Sequence, residues 1–294
     1  MASLKDLKNR IGSVKNTQKI TKAMKMVAAA KLRRAKDHAE SARPYAESLE
    51  FVLQSLTASI ESSESLPKLL KGTGKNDTHL LVVATADRGL CGGFNSSIVK
   101  EARHRIEILQ SQGKTVKIFC VGKKGAEQLA STHNDLIIKK MRDLYKTKPE
   151  FSIAQQVAET IEVAIEEYDI DVCSIIYSKF ESAISQIVTS QQLMPMEIPE
   201  DPLQDQIGSA SSYEFEPEED KIISDLVPRN FTTQIFRAML ENAASEQGAR
   251  MTAMDNATRN AGEMIKDLTL LYNRSRQAAI TKELIEIISG AEAV

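Results

Sequence analysis

The sequence predicts an α/β protein, with a long antiparallel coiled coil of the N- and C-terminal helices plus a central Rossmann-like α/β domain. Two observations predict the coiled coil: residues 231–289 contain no proline, and neither do residues 3–43. At about 1.5 Å per residue, continuous helices there extend on the order of 85–90 Å and 60 Å. Neither fits inside one small domain, so we expect the two helices to pair. The third observation is an alternation of strand-like and helix-like segments between them.

Charge is distributed unevenly along the 294 residues, although the net charge is only −2. Residues 1–36 hold eleven Lys or Arg and a single acid, Asp6, whereas residues 197–225 hold ten acids and a single basic residue, Lys221. This asymmetry predicts an acidic partner at one end of the molecule and a solvated segment at the other. For the basic helix, a solvated face, an acidic protein partner and nucleic acid stay open, in that order of preference.

The N-terminal region predicts one helix whose apolar stripe shifts. The first apolar residues have the spacing of a coiled-coil seam: Leu4, Leu7, Ile11 and Val14. Beyond them, the seam positions hold polar residues: Gln18, Thr21 and Lys25. The apolar residues lie beside the seam: Ile20, Met24 and Val27. We expect the helix to turn another face to its neighbours from there on, or to have more than one neighbour. Pro44 predicts a bend, and the apolar periodicity resumes at Leu49.

Residues 77–195 are predicted to form the α/β domain, with helices on both faces of a sheet. The expected strands are residues 79–86, 115–121, 135–139, 171–180 and 184–194, and the expected helices are residues 95–110, 123–132 and 152–168. The acidic, proline-containing residues 196–228 are predicted to be a loop or arm that Pro228 closes. The coiled-coil segments are then residues 1–70, including a continuation of the first helix, and 229–294, with Asn230 or Thr232 as the cap.

No group of residues predicts an active site, a cofactor site or a metal site. The three cysteines lie far apart, without metal-ligand spacing, and are interpreted as reduced core thiols: Cys91, Cys120 and Cys173. The four histidines are interpreted as surface residues: His38, His79, His104 and His133. No apolar run approaches the roughly eighteen residues of a membrane helix. The basic N-terminal stretch is interpreted as mature structure and not as a transit peptide.

The most motif-like segment is residues 87–93, DRGLCGG, which joins the first strand to the first helix of the α/β domain. Open α/β sheets bind ligands at this position. However, the segment matches neither GxGxxG nor GxxxxGK[ST]. A structural turn is therefore favoured over a phosphate site.

Four segments together resemble the γ subunits of F-type ATP synthases. They are spread over nearly the whole chain: residues 20–31 (ITKAMKMVAAAK), 87–92 (DRGLCG), 244–251 (ASEQGARM) and 280–291 (ITKELIEIISGA). The resemblance implies that the terminal helices are the central shaft of a rotary motor inside a ring of three α and three β subunits. It also implies that the α/β domain lies at the foot of the shaft, against the ε subunit and the c-ring.

The implied function is that of the central-stalk rotor subunit of F1Fo ATP synthase, which couples proton flow to ATP synthesis or hydrolysis without a catalytic site or cofactor of its own. Five residues match positions that couple to β: Met24, Arg250, Gln277, Thr281 and Glu283. The resemblance also implies that β carries an acidic helical segment facing the shaft, so the basic residues Lys25, Arg33 and Arg34 are expected to contact β as well. Glu216 matches a position of contact with ε or the c-ring. The implied location is peripheral, on the cytoplasmic side of the bacterial inner membrane. The alternatives are a non-motor coiled-coil scaffold protein and a nucleotide-binding enzyme that uses the 87–93 loop.

Overall fold

A computed structural model gives the fold and describes residues 3–59, 67–144, 149–196 and 219–292. It confirms the predicted architecture, with long helices at both ends of the chain and a central sheet of five strands. Glu216 and most of the predicted acidic arm lie outside the described residues. Within the described ranges, no helix combines the length and the apolarity that crossing a bilayer requires.

The central sheet is mixed, and each strand begins and ends within two residues of its predicted bounds. The strands are β1 (Thr78–Ala84), β2 (Thr115–Val121), β3 (Ile137–Met141), β4 (Val172–Phe180) and β5 (Gln186–Met194). They lie in the order β3-β2-β1-β4-β5; the first four are parallel, and β5 is antiparallel to β4. Because helices cover both faces of a parallel sheet, its inner strands are continuous apolar runs.

Six helices and one short 3₁₀ turn, residues Asn134–Leu136, complete the described structure. The helices are α1 (Leu4–Ser59), α2 (Lys68–Lys71), α3 (Phe94–Ser111), α4 (Lys123–His133), α5 (Phe151–Glu167) and α6 (Glu219–Glu292). The 56 residues of α1 and the 74 residues of α6 correspond to about 84 Å and 111 Å of helix. As continuous helices, both are therefore longer than the roughly 60 Å and 85–90 Å that the proline-free segments predict.

The C-terminal helix α6 is one of the layers that cover the sheet. On one face, α3 and α4 pack against side chains such as Leu81 of β1. On the other face, α5 and the first half of α6 pack against the alternate side chains of the same strand, such as Leu80, with Phe231 and Ile235 of α6 fully buried. The helix α6, which pairs with α1 to form the two-helix shaft, is therefore also part of the hydrophobic core of the α/β domain.

The two terminal helices lie antiparallel along each other. Lys25 faces Asp255, and Thr21 faces Thr258, so each step forward along α1 matches a step back along α6. Continued at this register, Leu4 at the start of α1 lies opposite about residue 276. The part of α6 beyond that point extends past the end of α1, and residues 280–289 are exposed.

The start of the C-terminal helix was predicted wrongly at residue 229. It begins at Glu219, and Pro228 lies inside it. A proline inside a helix costs about 3 kcal/mol or more. Ile223 and Val227, on the turn before it, are buried in a cluster with Leu53 and Leu70, and burial of such side chains contributes about 1.5–3 kcal/mol each. Tertiary packing thus offsets the cost of the proline, which the local sequence signal does not reveal.

The predicted caps of this helix are also wrong. Asn230 and Thr232 are buried inside α6, and the Thr232 hydroxyl donates to the Pro228 carbonyl oxygen at 3.0 Å. At the other end of the chain, α1 continues through Pro44 to Ser59, because Ala46, Leu49 and Leu53 remain buried beyond the proline.

We expect Phe231→Ala to destabilise the whole α/β domain and not only the shaft, because the ring of Phe231 is fully buried between α6 and the sheet. Large-to-small changes of this kind cost about 3–5 kcal/mol. Denaturant unfolding followed by near-UV circular dichroism measures the decrease in the free energy of unfolding. Leu270→Ala is the control, since that side chain lies on the same helix and is 69% exposed; its effect should stay within about 0.5 kcal/mol. Equal effects of the two changes would contradict the shared core.

Candidate functional site

The contact between the two long helices contains a run of polar side chains. The Lys25 ammonium is 2.6 Å from a carboxylate oxygen of Asp255. The Thr258 hydroxyl donates to the Thr21 hydroxyl at 2.8 Å, and the Gln18 amide donates to the Thr258 carbonyl oxygen at 3.4 Å. Small residues allow this approach: a Cβ on Gly262 would lie 3.1 Å from the Gln18 amide nitrogen. These bonds are directional, so they fix the register of the helices.

The turn of α1 that the displaced apolar residues predict does not occur, and a second neighbour for this helix stays a prediction. Gln18, Thr21 and Lys25 keep their seam positions against α6, while Ile20 and Val27 are 59% and 57% exposed. Because the polar seam residues bond to α6, the same face of α1 stays against α6 along this stretch. The displaced apolar side chains are consequently left on the outside of the shaft.

The basic stretch of α1 divides into partnered and exposed cations. Lys25 is bonded to Asp255, whose other oxygen is 3.3 Å from Arg259. The hydrogen bond from Lys25 is the main cause that lowers the pKa of Asp255. Arg33 and Arg34 are exposed, and Met24 is half-buried. Arg33 and Arg34 are thus directed toward solvent, where another protein can reach them, whereas the ammonium of Lys25 is used within the shaft.

Arg250 joins the shaft to the 87–93 loop. Its guanidinium is 2.6 Å from Glu246 on the preceding turn of α6 and donates to the Gly89 carbonyl oxygen at 3.2 Å. Burial raises the pKa of Glu246, and the adjacent Arg250 charge opposes that rise. The structure therefore brings together two of the four segments that carried the family resemblance, which lie far apart in the sequence.

The polar groups of the 87–93 loop are used to build the turn. Asp87 accepts the Lys123 N–H at 2.8 Å at the start of α4. Asn95 accepts the Ala86 N–H at 2.9 Å and donates to the sulfur of Cys91 at 3.2 Å. Leu90 has a φ of 64°, a left-handed conformation that few non-glycine residues adopt. These contacts support the interpretation of a structural turn.

A cleft of about 310 Å³ lies between this loop, the β4–β5 hairpin and α6. Its lining includes Cys91, Ser97, Ser178, Gln186 and Thr252, and none of its lining residues is charged. A phosphate site needs cationic side chains or a dedicated backbone cradle. The cleft offers no cationic side chain to a phosphate, so its side chains do not favour the nucleotide-binding alternative.

The three cysteines are buried, as predicted. Burial raises the pKa of Cys91 and of Cys173, and it raises the pKa of Cys120 to about 11. Thiolate, the reactive form, is therefore scarce at neutral pH. The interpretation of His79 as a surface residue is wrong, since it is buried on β1, and this burial lowers its pKa. The described residues contain no group of three or more His, Cys, Asp or Glu side chains that could hold a metal ion.

The far end of α6 carries the remaining candidate residues. Gln277, Thr281 and Glu283 are all exposed, and the Thr281 hydroxyl donates to the Gln277 carbonyl oxygen at 2.9 Å. Apolar side chains in the same segment are also exposed: Ile280, Leu284, Ile285, Ile287 and Ile288. Solvent-exposed apolar groups gathered at one end of a helix indicate a protein contact surface.

These features define a class of protein: a two-helix stalk built into a small α/β domain, with its candidate residues along the stalk and not in a catalytic cleft. A family model described as ATP synthase matches residues 3–294. The ATP synthase gamma chains of Paracoccus denitrificans and Sinorhizobium medicae are 58% and 57% identical to this chain, with 100% of both chains covered in each comparison. The chain therefore belongs to the ATP synthase gamma chain family.

Solved structures show the same architecture. A chain in the central stalk and c-ring structure of the Tetrahymena thermophila mitochondrial ATP synthase is 28% identical, with a TM-score of 0.60; the match covers 81% of this chain and 99% of that one. A chain in the OSCP, F1 and c-ring structure of the Euglena gracilis mitochondrial ATP synthase has a TM-score of 0.66 at 18% identity; the match covers 99% of this chain and 94% of that one. The latter is a likeness of fold.

We expect Arg250→Gln to open the 87–93 loop, because it removes the bond to Gly89. A hydrogen bond to a charged group contributes about 1.5–3 kcal/mol, so the alkylation rate of Cys91 should rise about tenfold or more. Loss of the Arg250 charge alone would raise the pKa of Cys91 and slow the reaction, so a faster reaction reports opening. Mass spectrometry of alkylated peptides measures the rate at each cysteine.

Cys120 and Cys173 serve as internal standards in that experiment and should stay protected. Arg259→Gln is the matched variant, since Arg259 pairs with Asp255 and Asn256. It should leave the rate at Cys91 unchanged. Equal acceleration at all three cysteines would indicate global unfolding and contradict the local link.

Proposed function

We propose that this chain is the central-stalk rotor subunit of F1Fo ATP synthase and transmits rotation from the membrane c-ring to three catalytic β subunits. The observation that carries the proposal is α6, a helix of 74 residues that is buried in the α/β domain at one end and extends exposed beyond α1 at the other. One continuous element of about 111 Å can carry rotation from a foot to a distant tip. Family membership over the whole chain agrees with this role.

The proposed partners are the α and β subunits of an α3β3 ring around the shaft, with the ε subunit and the c-ring at the foot. Exposed Arg33 and Arg34, together with the exposed tip of α6, support contact with the ring. Glu216 is proposed as a contact with ε or the c-ring from its sequence match. The chain itself is proposed to be non-catalytic and without a cofactor, located peripherally on the cytoplasmic side of the bacterial inner membrane.

Eight residues are proposed to couple the rotor to β: Met24, Lys25, Arg33, Arg34, Arg250, Gln277, Thr281 and Glu283. They differ in how they can act. Arg33, Arg34 and the three tip residues are exposed and can contact β directly. Lys25 and Arg250 are bonded within the chain, so we propose that they act mainly by holding the rotor surface in position.

The mechanism follows from asymmetry. A two-helix rod presents a different surface in each direction, so each of three surrounding β subunits meets different side chains. A rotor can change the state of a β site only through contacts that differ in free energy between the open and closed forms of that subunit. Turning the rod exchanges these contacts among the three sites and so exchanges their nucleotide affinities.

Subunit composition tests the proposal against the scaffold alternative. In the native complex, we expect one copy of this chain for three copies of each of two large nucleotide-binding subunits. Quantitative mass spectrometry of the purified complex measures the ratio. A free monomer, or equal numbers of all subunits, would refute the rotor assignment, and saturable ATP binding by the isolated chain would favour the enzyme alternative.

We expect Met24→Lys to weaken coupling, because it adds a cation at a half-buried position where the family resemblance implies an acidic β surface. ATP hydrolysis should stay within about twofold of wild type, while protons pumped per ATP should fall about twofold or more. Hydrolysis and acidification assays on membrane vesicles measure the two rates. Met26→Lys is the control, since Met26 is 60% exposed on another face of α1. Unchanged coupling in Met24→Lys, or an equal loss in both variants, would argue against this contact.

A further inference from the structure

Strand β4 extends past its neighbour β1 and reaches the shaft. The pairing of the two strands ends with Val83 opposite Ile176, whereas β4 continues to Phe180. Alternate residues of a strand direct their backbone N–H and C=O groups to the same side. Ser178 and Phe180 therefore direct these groups to the side on which β1 has ended. Buried backbone groups need hydrogen-bond partners.

Side chains of α6 supply the partners that the missing strand would have supplied. Asn242 accepts the Ser178 N–H at 3.0 Å, and the Ser245 hydroxyl donates to the Ser178 carbonyl oxygen at 2.8 Å. Glu241 Oε2 accepts the Phe180 N–H at 3.0 Å. All three side chains belong to buried residues. The helix thus takes the place of a strand along the end of β4.

The second oxygen of Glu241 binds the other shaft helix. Arg43 of α1 donates to Glu241 Oε1 from Nε at 3.1 Å and from Nη2 at 2.8 Å. The Glu241 side chain is only 2% exposed, so its charge is buried with both oxygens bonded. The ring of Phe180 packs with Leu32 of α1 and Ala244 of α6. One carboxylate therefore joins α1, α6 and β4.

Burial alone does not require a carboxylate at this point. Replacing a buried ion pair by apolar side chains of similar volume is often neutral or stabilising. What the polar group adds is direction: apolar contacts are non-directional and can slide, whereas hydrogen bonds weaken steeply when their angle changes. This carboxylate resists a twist of the shaft relative to the sheet.

We propose that Glu241 is a positioning residue for torque transmission. Its carboxylate holds the two shaft helices and the end of β4 in one orientation, so that the α/β domain and the shaft turn together without slipping. The shaft junction is the set of residues that makes these contacts: Arg43, Ser178, Phe180, Glu241, Asn242 and Ser245. The inference rests on the proposed rotor function.

Glu241→Gln in the assembled ATP synthase tests the role. The glutamine amide has the shape of the carboxylate but only one oxygen. That oxygen cannot accept from both Arg43 and the Phe180 N–H in their present positions, and the amide NH₂ faces one of these two donors. At equal amounts of assembled complex, ATP hydrolysis should stay within about twofold of wild type, while protons pumped per ATP fall about threefold or more. Single-molecule rotation, with a bead on the α/β domain, should show wider angular fluctuations.

Glu40→Gln is the matched control, because it makes the same substitution on α1 at an exposed residue that pairs with Lys36 of the same helix. It should match wild type in all three measurements. Ser245→Ala is a second test variant, in case Glu241→Gln does not assemble. It removes one bond of the shaft junction without changing charge, and it should widen the angular fluctuations by a smaller amount.

Two results would overturn the inference. One is a proportional loss of hydrolysis and pumping, which a purely structural role produces. The other is wild-type fluctuation in Ser245→Ala together with wild-type coupling in Glu241→Gln. If the wild-type complex lacks this chain, the proposed rotor function fails instead, and the subunit composition shows this before any variant is compared.

Discussion

The structure depends on one constraint: α6 must be both a helix of the shaft and a layer of the α/β core. From Phe231 to Ser245 the helix is buried on nearly every side, between the sheet, α5 and α1. Farther on, it contacts the 87–93 loop and the β4–β5 hairpin through Arg250 and Thr252. It then lies against α1 and finally extends exposed. This gradual change of environment along one helix explains its composition, since large apolar and bonded polar residues give way to small and then to solvent-exposed ones.

Polar contacts, more than apolar ones, determine how the long helices are arranged. The seam lacks the continuous Leu or Ile row of a strong coiled coil, and Lys25, Thr21 and Gln18 instead find specific partners on α6. The same principle recurs at the shaft junction, where Glu241 contacts both α1 and β4. A weak apolar interface with directional bonds keeps the rod in register while leaving much of its outer surface available to partners.

The candidate site divides into residues that face outward and residues that hold the rotor together. Arg33, Arg34 and the tip of α6 are exposed. Arg250, by contrast, fixes the loop at Gly89 beside the shaft. Sequence matching placed both kinds of residue in one group, because a motif records that positions belong together but not which atoms they contact. The loop between β1 and α3 thus has the structural role that its sequence predicted, although open α/β sheets bind ligands at this location.

The sequence by itself determined the class of fold, the bounds of the strands, the structural turn at residues 87–93 and the family, because each follows from local periodicity or from contiguous motifs. It did not determine where α6 begins, since Pro228 is tolerated only through the packing of Ile223 and Val227 against distant residues. Nor did it reveal the bonds between Arg250 and Gly89 or between Glu241 and Phe180, whose partners lie far apart in the chain. Tertiary structure decided these features, because burial and hydrogen bonding between distant segments outweigh local propensity.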